Sequence, residues 1–187
     1  ISSGMFEGST ALSGVVLPEN IKSIGDYAFS CCDSLETIVL YPHIESIGDY
    51  AFYDCDSFKK IALPEAITVI GEGTFAECEK LETISIQKTV TTIEALAFEG
   101  CEKFTVYYTG SLAAWAHIAI ESEGNDALTS AVLSVGHKHD DTQNILVKPT
   151  CTDKGVGEFS CECGFVYKGE IAALGHKKAT IPEIPAT

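Results

Sequence analysis

Residues 44–63 read IESIGDYAFYDCDSFKKIAL, and the same pattern returns before and after them at a step of 23 residues. That step aligns Phe6, Phe29, Phe52, Phe75 and Phe98, and it also aligns Cys32, Cys55, Cys78 and Cys101. Within one copy, Leu35, Ile38 and Leu40 face a core, and the alternation of Ile38 with Leu40 is that of a short strand. Thr37 and Val39 then point outward. Ile44 and Ile47 return a second apolar edge to the core, Gly48, matched by Gly25 and Gly71, permits a turn, and Ala51 and Phe52 fill the remaining corner. Pro18 and Pro64 follow the strands of their copies, where a fixed φ and a missing N–H are tolerated. No copy can bury these side chains alone, so stability requires neighbours to stack and their strands to form a parallel ladder.

A period in this range with leucine-like residues at spacings of three and two is the sequence form of a leucine-rich solenoid. The expected architecture is a right-handed coil of about five turns, with one short parallel strand per turn. In composition the chain suits such a fold. Its 187 residues are 45% hydrophobic, enough for a sizeable core and a second small domain. Twelve basic against 27 acidic residues leave a net charge of -15, and every basic residue is lysine. A nucleic-acid face needs clustered positive charge, usually with arginine, so nucleic acid is excluded as a partner. The acidic surface suits a soluble monomer. No apolar run is long enough to span a membrane.

The motif resembles the BspA-like leucine-rich-repeat family of bacterial cell surfaces over about residues 1–133. The family pattern I-x-x-I-G-x-x-A-F, a cysteine, then L-x-x-I-x-[IL]-P is matched by 21–29, Cys32 and 35–40. Local departures are Glu94 for the turn glycine, Thr74 for the alanine and Tyr41 for the proline. The resemblance implies an extracellular protein, secreted or on a bacterial surface, whose role is adhesion or binding of a protein or glycan at the cell surface or host matrix. Ile1 aligns with Ile24, and the far end begins to repeat the 136–151 pattern, so a segment of a longer protein is expected.

The chain divides into a solenoid with its C-terminal cap over 1–135, a small β-rich Cys/His module over 136–178, and the start of a further module or a linker over 179–187. The cap occupies about 104–135. There Leu112, Trp115 and Ile118 recur at helical spacing behind Ser111, predicting a helix that covers the open end. The stretch 107–115 and the later strand at Ala131, Val132 and Leu133 look like the family's terminal cap. In the module, 158–161 and 165–167 read as strands flanking Cys163 and Gly164, with Val156 and Gly157 in a turn, a β-hairpin pattern. A disulfide from Cys151 to Cys161 or Cys163 would staple a unit too small for a large core. Zinc on Cys151, Cys161, Cys163 and one of His137, His139 or His176 is disfavoured, because Cys161-Glu162-Cys163 leaves a single residue between the paired cysteines.

Other chemistries weigh less. A ladder of cysteines presents one thiol per rung in parallel, which does not converge on a metal, so Cys32, Cys55, Cys78 and Cys101 are expected to be buried and reduced, with Cys31 a surface thiol. The acidic columns Asp33, Asp56, Glu79, Glu102 and Asp26, Asp49, Glu72 likewise give one carboxylate per rung, too few for calcium. No nucleophile elbow, phosphate loop or zinc-protease motif is present, so no enzyme activity and no cofactor are expected. For binding, the outward strand positions are Thr37, Val39 and Tyr41, then Lys59, Lys60 and Ala62, then Thr83, Ser85 and Gln87, and last Val106 and Tyr108. Tyr41, Lys59, Lys60, Ser85, Gln87 and Tyr108 form the candidate contact set, the tyrosines being the better anchors. The rival reading is a structural spacer without a ligand.

Overall fold

The computed structural model describes residues 1–136, 142–147, 155–161 and 166–171, the last three stretches by backbone course apart from Cys161. The first stretch carries β1 (Ser23–Ile24), β2 (Ser46–Ile47), β3 (Lys60–Ala62), β4 (Val69–Ile70), β5 (Thr83–Ile86), β6 (Thr92–Ile93), β7 (Thr105–Tyr108), α1 (Leu112–Trp115), β8 (Ala119–Ile120), α2 (Asp126–Thr129) and β9 (Val132–Val135). Beyond it lie β10 (Thr142–Val147), β11 (Gly155–Ser160) and β12 (Val166–Ile171), an antiparallel sheet in that order. The β11–β12 pair is a hairpin, but Val156 and Gly157 lie inside β11 rather than in a turn.

Residues 1–136 form a parallel-strand solenoid of about five turns. The main ladder runs β3-β5-β7-β9, all parallel, and isolated bridges Val15–Ile38 and Thr37–Lys60 carry it back toward the N-terminus. A second ladder is built from β1-β2 and β4-β6-β8. Turns supply a third set of bonds along the rod. The amides of Phe6, Phe29, Phe52 and Phe75 donate to the carbonyls of Ala28, Ala51, Thr74 and Ala97, each in the next coil. Backbone bonds along the rod thus tie each coil to its neighbours, which is why single copies cannot stand alone.

The core follows the sequence columns. Phe29, Phe52, Phe75 and Phe98 are fully buried, and their rings stack with Phe6 at centroid spacings of 5.2, 5.5, 5.7 and 5.6 Å. Phe58 and Phe104 add side stacks on Phe52 and Phe98. Leu35, Ile38 and Leu40 are buried as the alternation requires.

The last coil departs from the repeat in two ways. From β5 to β7 the register step is 22 residues (Thr83 to Thr105), and from β7 to β9 it is 27 (Thr105 to Val132). The longer step accommodates α1, a single turn whose N-cap Ser111 accepts from the Ala114 amide and which buries none of its residues. Leu112 is 62% exposed. The expected stripe of Leu112, Trp115 and Ile118 therefore does not form one buried helix face. Ile118 is buried beyond the helix, while the chain runs on into β8 and β9, which extend both ladders. Among the described residues no helix is long and apolar enough to cross a membrane.

Candidate functional site

Two surfaces carry the side chains that repeat turn by turn: the outward row of the main ladder and the turns that follow the short ladder. On the strand face, Lys60 is exposed, while Lys59 is partly exposed and its Nζ donates to Glu36 Oε2 at 3.0 Å. Thr37 is exposed, Val39 is partly so, and Tyr41 packs partly against the core. The other three members of the expected contact set are buried. Ser85 and Gln87 are 0% and 2% exposed, and Tyr108 is 1% exposed.

The reasons differ. Ser85 is a small side chain on a middle strand, paired in register with Tyr107, and Ala62 in the same row is also closed. Gln87 accepts through Oε1 from Thr109 Oγ1 at 3.2 Å. For Tyr108 the cause is parity. The step of 22 pairs Ile86 with Tyr108 and Ile84 with Val106, so both Val106 and Tyr108 fall on the inward row. Tyr108 meets Trp115 edge-on at 5.1 Å. Among the described residues Thr83 Oγ1, Ser85 Oγ and Gln87 Nε2 are buried without a hydrogen-bond partner, a condition that costs about 1–3 kcal/mol per group.

On the turns, each thiol has a specific acceptor. Cys32, Cys55, Cys78 and Cys101 donate to the carbonyls of Phe6, Phe29, Phe52 and Phe75 at 3.3, 3.2, 3.1 and 3.1 Å. The thiol column is thus a hydrogen-bond ladder that reaches back to the previous coil's phenylalanine. None of these four forms a disulfide, and Cys101 is only partly buried. Burial pushes the Cys32 thiol up to about 11 and the Cys101 thiol up to about 12. The Cys78 thiol is raised well above its ordinary value, first by the neighbouring Cys55 thiol and then by burial. A protonated thiol is the form that can donate, so geometry and ionisation agree. Cys31 is partly buried, with Sγ 3.5 Å from Ser30 Oγ.

The acidic column has a structural use as well. Asp26 Oδ1 accepts from the Asp49 amide at 3.1 Å, and Asp49 Oδ1 from the Glu72 amide at 3.2 Å. These carboxylates lie where the next coil's glycine has no side chain. A β-carbon on Gly48 would fall 2.2 Å from Asp26 Oδ1, and one on Gly71 2.4 Å from Asp49 Oδ1. Where the acid becomes Glu72, the following glycine becomes Glu94.

Sequence reading missed two columns of left-handed backbone. One holds Gly4, Tyr27, Tyr50, Gly73 and Leu96, the other Gly8, Cys31, Asp54, Glu77 and Gly100, all at φ between 53° and 70°. The amides of Gly4, Tyr27, Tyr50 and Gly73 each donate to the next coil. The glycines at two of five positions in each column were the available signal. The first column sets Tyr27 on Tyr50 at 5.1 Å and 4°, and Tyr53 meets Tyr50 edge-on. The Tyr50 hydroxyl donates to Glu72 Oε1 at 2.6 Å, which pushes it up to about 12.

Just after β11, Cys161 is buried. Its candidate partners Cys151 and Cys163, and His137, His139 and His176, lie outside the described residues. Among the described residues no cluster of three or more histidine, cysteine or acidic side chains is arranged to hold a metal.

A search among curated proteins finds no match. Among solved structures, a leucine rich cell surface protein from Faecalibacterium prausnitzii A2-165 is 25% identical with a TM-score of 0.51, over 59% of this chain and 35% of that one. A leucine rich repeat protein of T. pallidum is 27% identical with a TM-score of 0.45, over 57% of this chain and 44% of that one. A leucine-rich repeat protein from Bacteroides ovatus is 20% identical with a TM-score of 0.39, over 55% of this chain and 40% of that one. The chain therefore spans less than half the length of each. The family described as BspA type leucine rich repeat region, in six copies, matches residues 1–120. With the thiol ladder, the phenylalanine stack and the parallel strands in register, this chain belongs to the BspA-type leucine-rich-repeat family.

Proposed function

We propose that this chain is a cell-surface binding module whose strand face meets a protein or glycan partner. The observation that carries the reading is the open part of that face. Thr37, Val39 and Tyr41 stand beside Lys59 and Lys60 on adjoining rungs, two lysines together on a chain of net charge -15. Rods of this kind offer long, shallow surfaces on which regularly spaced side chains meet extended partners. Ser85, Gln87 and Tyr108 leave the contact set because they are buried, so the face is centred toward the N-terminal half. The likeness to a cell surface protein supports placing the module outside the cell.

A spacer role is favoured by a different observation. Lys59 pairs with Glu36 and Lys22 with Glu45, both across one coil step, so part of the exposed charge is used within the rod. Surface pairs of this kind contribute only about 0–1 kcal/mol each, which leaves Lys59 available to a stronger partner. The two readings separate in one experiment. Purified chain is passed over immobilised matrix proteins and glycans, alone and as Lys60→Glu. A binder gives a saturable signal that the charge reversal weakens by about 1 kcal/mol or more. A spacer gives no saturable signal with any surface.

A further inference from the structure

We infer that the turn face of the first repeats is a docking surface for an arginine-bearing polypeptide segment of a partner, received on the open ring face of Tyr27 beside Glu7. The tyrosine stack is closed at one end and open at the other. At the closed end Tyr50 lies against Gly73, where an added β-carbon would fall 2.2 Å from its Cε1. At the open end the column continues to Gly4, whose amide donates to Asp26 O at 2.8 Å and which has no side chain to cover Tyr27. Tyr27 is 42% exposed. Glu7 Oε2 lies 3.1 Å from the point where a β-carbon would project from Gly4, which puts a carboxylate at the mouth of the same column. Glu7 has no ion-pair partner among the described residues.

The chemistry of this surface selects a cation. The turn segments 24–33, 47–56, 70–79 and 93–102 carry eleven aspartates and glutamates and no lysine, and the chain has no arginine. The ring face of a tyrosine is electron-rich and attracts a cation placed over it. Arginine fits better than lysine, because a planar guanidinium can stack on the ring while its fork still reaches a carboxylate. A run of further basic residues would then follow the acidic turns along the rod. This surface uses different columns from the strand face, and its test does not depend on strand-face binding.

The test is fluorescence anisotropy of a labelled peptide of alternating glycine and arginine, with the lysine counterpart in parallel, titrated with the full chain at low and physiological salt. Wild type is expected to bind saturably and to prefer the arginine peptide. Two variants leave the net charge untouched and place at position 27 residues that the same column already holds at Gly73 and Leu96: Tyr27→Gly and Tyr27→Leu. Either one is expected to weaken arginine-peptide binding by about five- to tenfold, while Tyr27→Phe retains it. Glu7→Gln is expected to weaken it by about threefold. If wild type gives no saturable binding, or if Tyr27→Gly and Tyr27→Leu bind as tightly as wild type, the surface does not dock such a segment. Unchanged melting curves for at least one of the two variants show that the comparison is between folded proteins.

Discussion

A β-carbon on Gly48 would fall not only on Asp26 Oδ1 but also 2.5 Å from the Asp26 backbone nitrogen, whereas at Gly71 only the Asp49 carboxylate comes closer than 3 Å. A side chain can swing away and backbone cannot. Gly48→Ala is therefore expected to cost about 2–4 kcal/mol and Gly71→Ala about 1–2 kcal/mol in denaturant melts. Replacing Asp49 by Ala alongside Gly71→Ala removes the clash, so the double variant should be more stable than the sum of the two singles. None of these glycines has the positive φ that a turn reading of the sequence implies; close approach between coils is what excludes a side chain. The thiols give a second residue-scale expectation. Cys32 and Cys101 are raised from 9.0 to about 11 and about 12, so between those values the folded state holds protons that the unfolded state has lost. Their contribution is fully present below about pH 9 and disappears as pH rises through the folded values. Stability measured by chemical melts should be level with respect to these groups at neutral pH and fall above about pH 9. Replacing both residues by Ala should flatten that fall; an equally steep fall in the double variant would place its origin elsewhere.

Element by element, what could be read depended on whether the 23-residue step held. The phenylalanine, cysteine and strand columns of the regular coils follow directly from spacing, because each column buries one side chain per rung. The step failed at β7, and its failure was written in the chain: Leu81 and Ile84 are three apart, but Phe104 and Val106 are two apart. A 23-residue step carried through that deletion places Tyr108 on the outward row, whereas the observed step of 22 sets it inward with Ile86. The left-handed columns were harder to see, since backbone dihedrals are not legible where Tyr27, Tyr50 or Leu96 takes a position that glycine fills elsewhere. The acceptors of the thiols were hidden for a similar reason: a column of cysteines gives their stacking but not which carbonyl each reaches. Tyr108 supplies the check on β7. Because it is 1% exposed and meets Trp115 edge-on, Tyr108→Ala should lower stability by about 3–5 kcal/mol. An outward tyrosine would leave stability nearly unchanged, so a loss under about 1 kcal/mol would contradict the inward register of β7.

At the scale of the whole molecule, stability is carried by contacts between successive coils, and it should vary along the rod accordingly. Phe52 is fully buried and stacks on Phe29, Phe75 and Phe58, with the Cys78 thiol donating to its carbonyl. Phe6 is only partly buried and, among the described residues, stacks on Phe29 alone. Phe52→Ala opens a cavity bordered by two neighbouring coils, which the stack cannot close without shifting both ladders, so its cost should be about 3–5 kcal/mol. Phe6→Ala removes one contact at the first coil and should cost about 1–2 kcal/mol. Hydrogen exchange distinguishes a one-dimensional stack from a single cooperative core. In wild type the amides of Phe29 and Phe52, which bond to the next coil, should exchange last, with protection falling toward Phe6. Phe6→Ala should then release only the first coil, while Phe52→Ala should release amides on both sides of position 52 together. Equal loss of protection everywhere in both variants would mean that the rod unfolds as one unit, and that coil-by-coil addition of stability does not describe it.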